Sequence, residues 1–529
     1  MLAVPVLFAS YCNSLGCSRT FYGVCRPNSA RPGPDNPRSS RRLIITKLNY
    51  RGKENMGIKI GGEIERVNGK EMSYSEFVGR YMEKNQPVVL TGLMDDWRAC
   101  RDWVTDDGNP NLQFFATHFG KSKVQVADCG TREYTDQKRL EMTVGEFVEQ
   151  WRGDSVQEHC TAPSQASGSK MLLYLKDWHF VKEYPEYTAY TTPMFFCDDW
   201  LNTYLDNYRM HNDPNIYSEN NDISCSDYRF VYMGAKGTWT PLHADVFRSY
   251  SWSANVCGKK QWLFLSPSQS HLVFDRNMKN SVYNIFDDVS ETKFPGFAKA
   301  MWFECTQEQN DIIFVPSGWY HQVHNLEDTI SINHNWFNAN NLRWVWDLLL
   351  RDYDEAKEYI EDIKEICDDF EGLCQRNLAA NTGLNFNDFL ILLARLSFAN
   401  LIQLQYLSRK NGNHTQNLSP IAQHFTFNLV SIQKIASSIS SLQDLTGSHG
   451  FYLDFKETLN DPGFIKLCAV LGKTYGTIHM QQNWNFDTKK AWIDDMKDLD
   501  VIGTCNSQVC TPKDLVMFIQ HALAESNGG

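Results

Sequence analysis

Three things are scarce in this 529-residue chain, and each scarcity removes a class of protein. Positive charge is the first: 51 Lys and Arg stand against 63 Asp and Glu, a formal net charge of −12. A surface that tracks phosphates needs clustered Lys and Arg, so direct nucleic-acid binding is not expected and a basic protein partner fits better. Ordered cysteine spacing is the second. The fifteen cysteines are scattered, odd in number and without a C-x-x-C or other zinc-site pair. They read as free thiols of a reducing compartment, the cytoplasm, with the nucleus as the alternative. The sequons at Asn413 and Asn417 then carry no glycosylation meaning. Uninterrupted apolar length is the third. Phe386 to Leu407 is the most apolar stretch, yet Asp388, Arg395, Asn400 and Gln403 break it, which predicts a buried helix and no membrane span.

What is present centres on Thr240 to Trp336. Thr240-Pro-Leu-His243-Ala-Asp245 reads as a strand, whose period of two points His243 and Asp245 to one face. Asp311 to Val315 is a short apolar run stopped by Pro316 and Gly318, so His321 opens the next extended segment and can bring a third ligand from another strand. Two imidazoles and a carboxylate make the facial set of non-haem Fe(II) oxygenases, which leaves positions open for a co-substrate and O2; the same set also suits zinc. Lys260 follows the Gly258 turn and shares its strand face with Trp262 and Phe264. An amine on a mostly apolar face calls for an anion, such as the free carboxylate of a co-substrate that chelates iron at its other end. From Thr329, the residues Thr329, Ser331, Asn333 and Asn335 fall on one face with almost no charge, as a wet interior would require. Parity sets His324 off the His321 face and His334 off the polar face, so both read as structural histidines, and Trp252 reads as core.

With these residues in view, the chain resembles the JmjC-domain 2-oxoglutarate oxygenases of the small, JmjC-only hydroxylase group, over about residues 60 to 340. The family's His-x-Asp…His matches His243, Asp245 and His321, and its co-substrate lysine matches Lys260. Thr240 and Tyr174 match positions used around 2-oxoglutarate; Asn333 stands where relatives often have Thr, and Ser253 where some have Asn. The resemblance implies a mainly β fold with flanking helices: a double-stranded β-helix barrel, jelly-roll and cupin-like, followed by a helical C-terminal domain. It also implies Fe(2+), 2-oxoglutarate and O2, with His243, Asp245 and His321 on the metal and Lys260, Thr240, Tyr174 and Asn333 around the co-substrate. The branch it is most similar to implies carbon hydroxylation of a lysine in the eukaryotic translation release factor, promoting termination. Two alternatives stand beside this. A histone or protein lysine demethylase would run the same chemistry on an N-methyl carbon, but usually carries chromatin-reading modules or zinc clusters, and none is seen here. A non-catalytic metal scaffold would need no buried lysine, so Lys260 argues against it.

Around this centre the chain divides into three. Residues 1–58, rich in Arg and Ser, with Pro and Gly through Pro27 to Pro37, read as a disordered leader rather than a transit peptide. Residues 59–340 hold the oxygenase domain. Within it Ser73-Tyr-Ser-Glu76 and Thr143-Val-Gly-Glu146 are capping boxes that open helices, Pro87 to Gly92 is a strand and turn, and Asp154 to Gly168 reads as a polar loop. Tyr184, Tyr187 and Tyr190 either line a substrate entrance or, the favoured reading, bury themselves against a neighbouring loop. Residues 341–529 are helical. Leu342, Val345, Trp346, Leu349, Leu350 and Tyr353 form one apolar stripe. These C-terminal helices can brace the barrel, bind substrate or form a homodimer, and the sequence does not choose.

Overall fold

The computed structural model describes residues 58–157, 171–210, 227–411, 419–442, 452–480 and 508–528; the leader to residue 57 and both sequons lie outside the described residues. Fourteen strands build the first part. They are β1 (Lys59–Glu63), β2 (Arg66–Asn68), β3 (Val88–Thr91), β4 (Lys123–Glu133), β5 (Asp136–Thr143), β6 (Leu173–Trp178) and β7 (Arg229–Gly234). Then come β8 (Trp239–His243), β9 (Tyr250–Cys257), β10 (Lys260–Leu265), β11 (Met301–Gln307), β12 (Ile312–Val315), β13 (Tyr320–Asn325) and β14 (Thr329–Trp336).

Two sheets result, one of order β1-β11-β10-β13-β8 and one of order β2-β3-β12-β9-β14-β7-β6-β4-β5. From β8 onward the chain passes back and forth between them, with β8, β10, β11 and β13 in the smaller sheet and β9, β12 and β14 in the larger. That winding is the double-stranded β-helix expected from the sequence. Its turns follow local chemistry: Gly258 takes φ +74° between β9 and β10, where a Cβ would lie 2.1 Å from the Asp328 carbonyl oxygen. Val89, Ile313 and Val315 of the larger sheet pack on Trp262, Phe264 and Val323 of the smaller, closing one end of the space between them.

The larger sheet has a second apolar face, and the N-terminal helices cover it. Ser73 caps the short helix Tyr74–Phe77, its Oγ accepting from the Glu76 N–H at 3.2 Å. In the second capping box the Thr143 N–H donates to Glu146 Oε2 at 2.7 Å while the Glu146 N–H donates to Thr143 Oγ1 at 3.2 Å. The helix that follows, Val144–Gln157, runs on through residues expected to form a loop. Nothing breaks it there: no Gly, Pro or Asn follows Gly153 before Gln157, so polarity alone was a poor stop signal. Tyr184, Tyr187 and Tyr190 also join this back layer, packing on Phe119, Phe180 and Trp97. Their hydroxyls bond Ser122, Asp102 and His334, and all three also line a cavity of about 310 Å³ with Arg229 and His334.

Beyond β14 the helix Leu342–Tyr359 buries Leu342, Val345, Trp346, Leu349 and Tyr353, as the stripe requires. The helix Phe386–Asn411 is long and apolar enough over Phe386–Leu407 to cross a membrane, but 78% of that window is buried against its neighbours. It is the central helix of a bundle with Pro420–Ser440, Pro462–Ile478 and Pro512–Gly528. One apolar cluster joins this bundle to the β part, because Trp200, Tyr204 and Phe337 lie in it with Leu393, Phe425 and Leu471.

A single carboxylate stitches the seam. Asp198 Oδ1 accepts from Trp200 Nε1 at 3.1 Å and from the Tyr475 hydroxyl at 2.9 Å, and Oδ2 accepts from Asn338 Nδ2 at 3.0 Å, with His424 Nε2 at 3.5 Å. Trp200 and Asn338 flank the sheets, whereas Tyr475 and His424 belong to the C-terminal helices. Removing the acceptor strands several buried donors at once, each costing ~1–3 kcal/mol. Asp198→Ala is therefore expected to lower unfolding free energy by about 3 kcal/mol or more, read by thermal and denaturant melts.

Candidate active site

Strands β8 and β13 are antiparallel neighbours, and their register sets His243 directly opposite His321, with ring centroids 4.3 Å apart. Each ring is oriented by its own strand: Nδ1 of His243 donates to the Pro241 carbonyl at 2.8 Å, and Nδ1 of His321 to the Trp319 carbonyl at 3.2 Å. Both Nε2 atoms are thereby left as lone-pair donors on one side, the arrangement that metal-ligating histidines use. Asp245 completes the set, and the ligand atoms of the three residues all lie within 4.8 Å of one another. Burial and the neighbouring His243 push the His321 pKa well down, so that imidazole is neutral and able to ligate.

Asp245 reaches this position differently from the expected route. β8 ends at His243, and Asp245 stands before the turn Val246–Arg248, so strand alternation does not aim it. Instead Phe247 and Arg248 take φ of +54° and +51°, two left-handed residues in succession that bend the chain immediately after the carboxylate. Ser251 on β9 then donates to Asp245 Oδ2 at 2.7 Å and holds the carboxylate from the opposite sheet. Thr240 needs a similar correction to simple parity. A bulge between His321 and Val323 pairs Val323 with Thr240, so Thr240 shares the histidine face although it is three residues from His243.

Lys260 lies on that face as well. Across β10 and β13, Phe264 pairs with His321, Trp262 with Val323 and Lys260 with Asn325, a row that leads from the histidines to the amine. Lys260 is 2% exposed, and its Nζ donates to the Tyr174 hydroxyl at 3.1 Å, with no carboxylate beside it among the described residues. Burial pushes its pKa down to about 7, and burial drives the Tyr174 phenol well up. The phenol fits there only because Gly234 faces it. A Cβ at Gly234 would come within 2.5 Å of the Tyr174 ring. Around this point Asn325 Oδ1, Thr329 Oγ1 and Ser331 Oγ are buried without hydrogen-bond partners. Asn333 faces the same interior, opposite Ser253 on β9, and its amide makes no hydrogen bond among the described residues.

A buried amine without a counter-ion among the described residues, ringed by unsatisfied polar atoms and at the other end of a row from two histidines and a carboxylate, fits a small dianion that also chelates a metal. Fe(II) on the three ligands and 2-oxoglutarate between them and Lys260 satisfy both halves of that requirement. His324 and His334 stay apart from it: His324 stacks on Trp239 and pairs with Gln322, and His334 bonds Tyr190 on the back of the larger sheet. Arg248 is engaged with the Tyr320 hydroxyl at 3.2 Å. Asn325 was within reach of sequence reasoning, since it shares the parity of His321. Ser251 and Gly234 were not, because they act from the opposite sheet.

The Lys260 charge sets a pH dependence. The ammonium form binds a carboxylate and the amine form does not, so affinity is full while Lys260 is protonated and falls as pH rises above about 7. Titration calorimetry of 2-oxoglutarate with Mn(II)-loaded protein is expected to show up to about tenfold weaker binding per pH unit in that range. Lys260→Ala is expected to cost about 2–5 kcal/mol of that affinity and to abolish the pH dependence.

Comparison with known proteins agrees with this geometry. The cupin-like domain family matches residues 74–342. A protein of Arabidopsis thaliana named arginine-specific demethylase JMJ20 is 59% identical over 467 residues, covering 88% of this chain and 98% of that protein. The zebrafish protein named 2-oxoglutarate and iron-dependent oxygenase JMJD4 is 39% identical, over 66% of this chain and 78% of its own length. Its human counterpart is 34% identical over 64% and 77%. The chain belongs to the cupin-like JmjC-domain family of 2-oxoglutarate- and iron-dependent oxygenases.

Proposed function

We propose that this oxygenase acts on the side chain of a basic residue in another protein, and that its reaction is carbon hydroxylation of a lysine in the eukaryotic translation release factor, in the cytoplasm. In this reading His243, Asp245 and His321 hold Fe(II), while Lys260 and Tyr174 receive the distal carboxylate of 2-oxoglutarate with Thr240 and Asn333 beside it. The observation that carries an oxidative role is the desolvated Lys260 amine, which is 3.1 Å from Tyr174 and has no anion of its own. A scaffold would gain nothing from it, and an unpaired buried amine lowers stability.

The bound metal supplies activation of O2, with 2-oxoglutarate as reductant that leaves as succinate and CO2. The protein's own share is positioning and dryness. Strand register holds the two imidazoles in one tautomer, Ser251 fixes the carboxylate, and Trp262 and Phe264 keep water from the space between Lys260 and His321. A lysine stem is long and unbranched enough to carry an aliphatic C–H to a recessed metal while its ammonium stays in a polar rim. The net charge of −12 favours a basic partner.

A second reading rests on one relative: the protein named arginine-specific demethylase, 59% identical along nearly its whole length, favours N-demethylation of methylarginine. Both reactions oxidise a carbon next to or near a cationic nitrogen, and mass separates them. Incubation with Fe(II), 2-oxoglutarate and release factor is expected to add one oxygen mass to a single lysine and to yield succinate. Loss of a methyl group with formaldehyde release, and no added oxygen on unmethylated protein, would replace hydroxylation by demethylation. His243→Ala is expected to lose iron retention and reduce either product below detection while the fold persists.

A further inference from the structure

A second charged cluster lies beside the metal ligands, and the chemistry described so far makes no use of it. It sits on the β4–β5 hairpin and β6. Gln137 Nε2 donates to the Trp239 carbonyl at 3.0 Å, tying the start of β5 to the strand that carries His243. Asp136, the residue before it, is close enough to His243 for the two to interact electrostatically. Its carboxylate is 24% exposed; it accepts from the Gln137 backbone N–H and lies 3.6 Å from Arg139 Nη2, beyond hydrogen-bond length. A carboxylate offers about four lone-pair sites, so acceptor capacity remains.

The groups behind Asp136 keep it in place and charged. Arg139 Nη2 pairs with Asp177 Oδ2 at 3.0 Å, and Asp177 Oδ1 accepts from the Tyr232 hydroxyl at 2.8 Å. Asp177 takes φ +60° inside β6, a bend that turns its carboxylate toward this cluster. Lys176 is 4% exposed and donates to Gln137 Oε1 at 2.9 Å. Burial pushes the Asp136 pKa up, but Lys176 and Arg139 outweigh it and hold the group below the ordinary carboxylate value. Arg139 adds an independent sign of an absent ligand. Its Nε and Nη1 are buried and have no hydrogen-bond partner among the described residues, so the guanidinium has two donors unmatched there.

A half-buried carboxylate with acceptor capacity left and a guanidinium with two unmatched donors, side by side on the hairpin tied to the His243 strand, match a cation and an oxygen acceptor of one peptide segment. We propose that Asp136 receives the cationic end of the target side chain, and that Arg139 takes a carbonyl or carboxylate oxygen of the same target. This rests on the reading that the target residue is basic. Asp177, Tyr232 and Gln137 act behind them as positioning residues, and Asp136 determines the preference for a positively charged side chain over a neutral one of equal length.

The test is a ratio, which a loss of folded protein does not move. The residue that product analysis identifies in the target, lysine or methylarginine, is compared in a synthetic peptide with its neutral counterpart, norleucine or ω-N-methylcitrulline. Wild-type protein is expected to prefer the cationic peptide in kcat/KM, and Asp136→Asn to shrink that preference by about tenfold or more, with Asp136→Glu restoring most of it. For a lysine target, zero-length carbodiimide coupling of the wild-type protein to the peptide is expected to join the lysine amine to Asp136, which needs no variant to fold. An unchanged preference in Asp136→Asn, coupling to a different carboxylate, or modification of no cationic residue at all overturns the proposal. Methylarginine as the modified residue, with the preference still lost in Asp136→Asn, overturns lysyl hydroxylation and leaves this proposal standing.

Discussion

One desolvated amine governs the interior of this protein. Lys260 is buried between two sheets with a phenol as its hydrogen-bond partner, and burial, with a smaller push from Lys176, brings its pKa to about 7. Such a group costs stability unless something anionic enters, so its presence is a statement about a ligand rather than about the fold. Several other features follow from accommodating it. Gly234 leaves room for Tyr174, the face of β14 is polar, and Asn325 lies across from the amine with an unsatisfied oxygen. At the other end of the same strand face stand two histidines whose Nδ1 atoms are already committed to backbone carbonyls. A dianion able to chelate and to pair with Lys260 satisfies all of these at once.

The surroundings are built to keep that arrangement stiff. The aromatic layer behind the larger sheet and the C-terminal bundle both bury large apolar faces against the strands, and Asp198 ties the bundle to the β part through three hydrogen bonds. Among the described residues the bundle contributes none to the metal ligands or to the amine's contacts. The β4–β5 hairpin differs, because Asp136 and Arg139 keep unmet hydrogen-bonding capacity there. That division suits an enzyme whose cofactor chemistry needs a fixed geometry and whose macromolecular substrate arrives from outside.

Much of the site was legible from residue spacing, because a strand's period of two is a strict rule wherever a strand is regular. Lys260, Trp262 and Phe264 share a face, His321 joins them, and His324 and His334 fall away, all as parity requires. Parity gives an incomplete route where regularity fails. Asp245 lies past the end of its strand and is aimed by two left-handed residues, and Thr240 reaches the histidine face through a bulge beside Pro241. Neither conformation has a signature in residue type, since Phe247 and Arg248 are not residues that favour positive φ. The loop expected from Asp154 was helix as far as Gln157, for want of any breaking residue. Long-range partners such as Ser251, Gly234 and the Asp136 cluster depend on which strands become neighbours, and no local pattern carries that information.

The central claim is that the three ligands and Lys260 form one binding site for an iron-chelating dianion. Anaerobic visible spectroscopy tests it directly, because a 2-oxo acid chelated to Fe(II) gives a charge-transfer band that neither component gives alone. Titrating 2-oxoglutarate into the Fe(II)-loaded protein is expected to produce that band in saturable fashion. In Lys260→Ala the same band is expected only at much higher 2-oxoglutarate, and in His321→Ala not at all. A wild-type protein that retains Fe(II) but shows no band, or a Lys260→Ala titration that overlays the wild type, would contradict the account.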